Sequence, residues 1–185
     1  MARLGSPTKG RGASRPRGLS AGQLAAVADE ELVARINDYT VGTLRRHFPR
    51  NPPQGYAQLL AGYLPRGFLI VWVAAEVQYQ VDNGGFAQFF WNQSRHLADA
   101  AVDAFVTIGA RCHAAVTAKA IQVYSENRKE IELLRRGGDW KVYWRSAGDR
   151  LFDALDGAFY KCNKLVKTNT LQVQWIRSNT NAFKP

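Results

Sequence analysis

Apolar residues recur along the chain at steps of three to five, and this spacing predicts helices almost throughout. Leu24, Val27, Leu32, Ile36 and Tyr39 continue one face. Ser20 and Gln23 stand before it at the spacing of a capping box, in which each side chain satisfies the other residue's backbone N–H. Leu97, Ala101, Ala104, Phe105 and Ile108 share a second face, followed by an Ala-rich helix to about Tyr124. Phe152, Leu155 and Phe159 form one stripe near the end, and Leu171, Trp175 and Ile176 another. Between these elements HFPRNPPQG, residues 47–55, is predicted to be a loop, because its prolines remove donors and disfavour helix in the residues before them. YAQLLAGYL is a short helix ending at Pro65, and RRGGDW, residues 135–140, is a turn. No internal repeat is present.

One passage fits two periods. EVQYQV alternates as a half-buried strand would, and the NGG behind it offers the positive φ angles of a tight hairpin. The same residues from Phe68 to Val81 also fit a helix carrying Phe68, Trp72, Ala75 and Tyr79 on one side, capped where Asn83 and Gly84 supply a left-handed residue. Local pattern does not separate the two. In the adjoining stretch VDNGGFAQFFWNQ, two glycines meet four aromatic side chains and the amides Asn83, Gln88 and Asn92. On a helical reading Glu76, Gln80 and Asn83 share a face by i, i+4, i+7, and Gln88 and Asn92 share another by i, i+4.

Composition narrows the class. The 185 residues are 46% apolar and 11% aromatic, enough to bury one sizeable core. The net charge of +10 sits at the ends. Five basic residues and no acids occupy residues 1–18, five more follow Gly157, and the fifteen between face fifteen acids. Residues 1–18, rich in Gly, Pro, Ser and Arg, are expected to form a disordered basic arm, with residues 19–185 as the folded domain. The longest apolar run, FLIVWVAA, stops at Glu76, far short of the ~20 residues that span a bilayer, so no membrane association is expected and the protein reads as cytoplasmic. Cys112 and Cys162 lie fifty positions apart behind no export signal and are expected as free thiols. The histidines and cysteines lack metal-ligand spacing, so neither a metal nor a cofactor is expected.

The block DNGGFAQFFWN, with Glu76 upstream, resembles the NGGF-x-Q-aromatic-aromatic-x-N signature of a bacterial family typified by an acidic DNA-mimic protein. AVDAFVTIGARCHAAVTAKA and LFDALDGAFYKC with LQVQWIRSNTNAF agree in order, so the resemblance covers roughly Pro65 to Phe183. It implies an all-α fold, which decides for helix, turn, helix. It also implies a homodimer that binds a transcriptional regulator in place of DNA. Two readings of the motif stay open: Glu76, Asn83, Gln88 and Asn92 rivet a buried junction around Gly84 and Gly85, or the six form a polar pocket that binds a ligand or partner side chain. Mimicry of a duplex is not carried over. Asp149, Asp153 and Asp156 could form a short acidic row, but Lys161, Lys164 and Lys167 follow it. The expected function is a non-catalytic domain binding a protein partner, itself a nucleic-acid-binding or regulatory protein. The alternative is a nucleic-acid binder using the basic termini, with Trp175 beside Arg177 as a stacking platform. No hydrolase, P-loop or dinucleotide motif supports an enzyme, and Glu76 is the one carboxylate placed for acid–base work.

Overall fold

The computed structural model describes residues 18–48, 61–145 and 149–184, with residues 149 and 150 in backbone only. The expected arm apart from Gly18, the expected loop after Phe48 and residues 56–60 of the expected short helix lie outside these residues; His47, expected in the loop, ends a helix, and residues 61–64, expected as helix, form a turn. The described chain is all-helical: α1 (Ala21–Ala25), α2 (Asp29–His47), α3 (Arg66–Trp91), α4 (Ala98–Thr107), α5 (Arg111–Glu126), α6 (Arg128–Arg136), α7 (Trp140–Tyr143), α8 (Asp149–Leu165) and α9 (Thr168–Ser178). Short 3-10 turns lie at Gln93–Leu97 and Thr180–Phe183.

Local chemistry sets the boundaries. Ser20 accepts from the Gln23 amide at 3.2 Å while Gln23 accepts from the Ser20 amide at 2.9 Å, closing the capping box. Asp29, Glu30 and Glu31 open α2 and Arg45, Arg46 and His47 end it, each set opposing the helix dipole. Gly109, with φ 83°, separates α4 from α5, and Gly138, with φ 74°, lies in the expected turn between α6 and α7.

The centre of the fold is α3. Gly67, Phe68, Ile70, Val71, Trp72, Val73 and Ala74 are all buried, so its first half is apolar on every side. Such a helix has to be surrounded by others. It packs on α2, α4, α8 and α9, and α5 closes over α4 and α8. The buried side chains form one contiguous core. Phe86, Phe90, Phe152 and Phe159 meet inside it with ring centroids 5.3–6.5 Å apart. The extended-strand alternative for EVQYQV is not what the chain adopts: the segment is helical, with Val77, Gln80 and Val81 turned into the fold and Tyr79, expected on the apolar side, exposed.

The cysteine expectation is overturned. Cys112 of α5 and Cys162 of α8 form a disulfide with Cα atoms 5.7 Å apart. Packing of the two helices brings the residues within bridging distance, and sequence separation carries no trace of that. No helix among the described residues is long and apolar enough to cross a membrane.

Candidate functional site

The diglycine breaks α3 into two helical segments. Gly84 has φ −170° and ψ 33°, which any residue can adopt in φ, whereas Gly85 has φ 65° and ψ −174°. The left-handed position expected at Asn83 and Gly84 therefore falls at Gly85, in a region that is essentially glycine's alone. Side-chain contacts across the break show how sharply the chain turns. Asn92 Nδ2 donates to Gln80 Oε1 at 2.8 Å. In an unbroken helix twelve residues would rise about 18 Å, beyond the reach of two amides.

That bond belongs to a closed network. Gln80, only 8% exposed, accepts from both Gln88 (3.0 Å) and Asn92 (2.8 Å), and its own Nε2 donates to Glu76 Oε1 at 2.8 Å. The spacing of Gln88 and Asn92 predicts that they can satisfy each other; instead both turn to Gln80, which the first segment carries on its inner side. Asn83 is not part of the network. It is exposed, and its Nδ2 donates to the Tyr79 carbonyl at 2.6 Å. Arg95 continues the polar contacts beyond Asn92, donating to its carbonyl at 2.8 Å and lying 3.5 Å from Glu132. Burial would raise the Glu132 carboxyl, but hydrogen bonds from Arg135 and Tyr124 and the charges of Arg135 and Arg95 hold it below its ordinary value.

A helix that stops leaves carbonyls without donors, and one that starts leaves N–H groups without acceptors. At this kink α8 supplies both from one stripe. Asp156 Oδ1 accepts from the Phe86 amide at 2.8 Å, Tyr160 donates to the Val81 carbonyl at 2.8 Å, and Asn163 donates to Asp82 Oδ1 at 3.2 Å. Positions 156, 160 and 163 are i, i+4 and i+7, so a single helical face clamps the bend. The Asp156 carboxylate lies against Gly85 so closely that an added Cβ would sit 2.1 Å from Oδ2. Desolvation by this burial pushes the Asp156 carboxyl up to about 6; the Phe86 amide opposes the shift and Asp153 adds to it.

Beside the clamp a cleft of about 450 Å³ opens to solvent, lined by Asp82, Asn83, Gly84, Gly85, Trp144, Asp153, Asp156, Gly157 and Tyr160. Asp82 and Asp153 are exposed and Asp156 half-buried. Trp144 is half-buried at the end of an aromatic row, 5.1 Å from Trp140, which lies 5.2 Å from Trp91. Of the six residues the motif singles out, Asn83, Gly84 and Gly85 line this cleft and Glu76, Gln88 and Asn92 do not. The residues that sequence reasoning missed as site members are Asp82, Trp144, Asp153, Asp156 and Tyr160. The i, i+4, i+7 polar stripe of α8 was the available signal for Asp156 and Tyr160. The acidic row expected along α8 is divided, since Asp156 turns to the Phe86 amide; the Asp149 side chain lies outside the described residues.

The C-terminal platform is also committed to the fold. Arg177 donates to Asp29 at 2.6 and 2.9 Å and to the Val27 carbonyl at 2.6 Å, and Trp175 packs 5.9 Å from Phe183.

An all-helical scaffold bent at a glycine-only position, with amides closed on its inner side, defines the structural class. The chain belongs to the DMP19-like protein family, whose model matches residues 62–179. That span holds the kink, the cleft and both cysteines, and agrees with the resemblance read from the NGGF block. No curated protein matches the chain.

Proposed function

We propose that this chain is a non-catalytic interaction domain whose cleft beside the diglycine kink receives an arginine or lysine side chain from a protein partner. The observation that carries the reading is the composition of the cleft: Asp82, Asp153 and Asp156 line it together, with Trp144 and Tyr160 alongside. Carboxylates accept charge-assisted hydrogen bonds from a guanidinium or ammonium group. An indole face adds a favourable site for the same cation. A partner that presents such side chains in number is a protein with a basic surface, as nucleic-acid-binding regulators have. The body of the chain needs no duplex-like charge density for this, only a local acidic patch.

Glu76 supports no catalytic reading. Gln80 holds it, and it stands outside the cleft.

Titration calorimetry with a hexa-arginine peptide tests the proposal on the full-length chain. Binding at low ionic strength should weaken with salt. It should also weaken as pH falls through about 6, where Asp156 takes up a proton. Affinity equal to that for hexa-glutamate, or no binding at low salt, overturns it. Tight binding of duplex DNA, lost when residues 1–18 are removed, would favour the basic termini instead.

A further inference from the structure

We propose that the Cys112–Cys162 disulfide is a thiol-responsive clamp on the α8 wall of the cleft, so that reduction by a dithiol loosens the kink and weakens the hold on the partner. The effect on the partner rests on the cleft reading above; the effect on the kink does not.

The geometry places the bond where it acts on the site. Cys162 lies two residues beyond Tyr160, which holds the Val81 carbonyl, and next to Asn163. Asn163 Oδ1 meets His113 Nε2 at 2.8 Å, and its Nδ2 reaches Asp82. The covalent pair 112–162 and the hydrogen-bonded pair 113–163 thus stand side by side between α5 and α8. Both fix the end of the stripe that clamps α3. His113 is buried at 1% exposure, and desolvation lowers its tendency to protonate, against the hydrogen bond to Asn163 and the charge of Asp82. Cys162 is 2% exposed, whereas Cys112 is exposed in the first turn of α5. Cys112 is therefore the end of the bond at the surface, and Cys162 the end held in the core.

The chemistry is thiol–disulfide exchange. A thiolate of the reductant attacks the Cys112 sulfur, forms a mixed disulfide and expels the Cys162 sulfur, which takes a proton. The second thiol of the reductant then displaces the mixed disulfide, freeing Cys112 as a thiol and leaving the reductant as its own disulfide. Two electrons and two protons pass from the dithiol to the chain, and oxidised glutathione or an oxidised dithiol reverses the sequence. Once the bond opens, side-chain packing and the His113–Asn163 hydrogen bond still hold α8 to α5 among the described residues.

Amide hydrogen exchange on the full-length chain, oxidised and after reduction with dithiothreitol, tests the clamp. The Phe86 amide, which Asp156 caps, is compared with the Ile36 amide in α2. Loss of a link closing a 50-residue loop should lower Tm throughout by about 8–16 °C. The clamp predicts in addition that Phe86 exchange accelerates at least tenfold more than Ile36 exchange, and that hexa-arginine affinity falls. Equal acceleration at the two amides would make the bond a general staple and overturn the proposal. Two free thiols persisting in oxidised glutathione would do the same. Cys112→Ser should reproduce the reduced form; if that variant fails to fold, chemical reduction of the folded wild type gives the same readout. The expected exchange pattern with no peptide binding in either state would keep the clamp and reject the cleft as a cation site.

Discussion

The two polar surfaces that flank the diglycine kink differ in how completely their groups are satisfied. On the inner side Glu76, Gln80, Gln88 and Asn92 bond to one another, and Gln80 alone serves three neighbours. On the cleft side Asp82 accepts from Asn163 and Asp156 from the Phe86 amide, yet with Asp153 they line open space, and the carboxyl of Asp156 is held above its ordinary range by burial. Amides can act as donor and acceptor at once, so a few of them close a network without outside help. Ionised carboxylates only accept. A set of them in a concave site has room for further donors, which a partner's cationic side chain would supply on the proposed function. The amides and glycines of the family motif thus hold the bend together with the α8 clamp, while the proposed recognition falls to the carboxylates along the cleft.

The contrast can be broken first at the glycines. Gly85→Ala places a Cβ 2.1 Å from Asp156 Oδ2 at a backbone conformation reserved for glycine, and should cost about 3 kcal/mol or more in urea unfolding, or prevent folding. Gly84→Ala meets only the Gln88 side chain, at 2.5 Å from Oε1, and its φ is open to any residue. It should cost about 1–2 kcal/mol. Equal effects at the two positions would mean that the kink does not depend on Gly85.

Next comes Gln80→Leu, which keeps the volume and strands the amides of Gln88 and Asn92 and the carboxylate of Glu76. A loss of about 2–3 kcal/mol is expected, read as a lower urea midpoint at unchanged slope. Asp156→Ala removes the cap of the Phe86 amide and should cost about 1 kcal/mol.

Asp156→Asn is a finer cut, because its amide oxygen can still accept from Phe86 while the charge is gone. The native carboxyl titrates near 6 against 3.8 in the free residue. The folded state therefore binds more protons than the unfolded state between those values, and this group's contribution to stability falls as pH rises through that window. Relative to wild type, Asp156→Asn should gain stability from pH 4 to pH 6.5, by a margin that solvent access keeps modest. A difference that shrinks over the same range would contradict the burial argument. Smallest of all, Asn83→Ala should change stability by about 0.5 kcal/mol or less, since the side chain is exposed and bonds only its own helix.

How far the sequence carries this picture depends on whether an interaction is local. Helices α1 to α5, α8 and α9, the capping box, the turn at Gly138 and the buried phenylalanines follow from spacing, because each is set within a few residues, whereas α6 and α7 do not. The amide cluster is legible as a set, but its hub is not. Gln80 becomes the shared acceptor only at the angle the kink imposes, which the segments on either side do not encode. Asp156 reads by spacing as part of a row with Asp149 and Asp153; its burial against Gly85 joins residues about seventy positions apart, as does its bond to the Phe86 amide. The disulfide is hidden for the same reason. The strand alternative for EVQYQV could be set aside only by the family resemblance, since both periods fit and tertiary packing decides.

The division of labour at the kink is tested most directly by titrating hexa-arginine into the Asp153→Asn/Asp156→Asn double variant and into Gln88→Ala, with the folded fraction of each measured by circular dichroism. The double variant should stay folded and lose affinity by about tenfold or more, while Gln88→Ala should lose stability and bind as wild type among its folded molecules. Wild-type affinity in the acid variant, or lost binding by fully folded Gln88→Ala, would contradict the account.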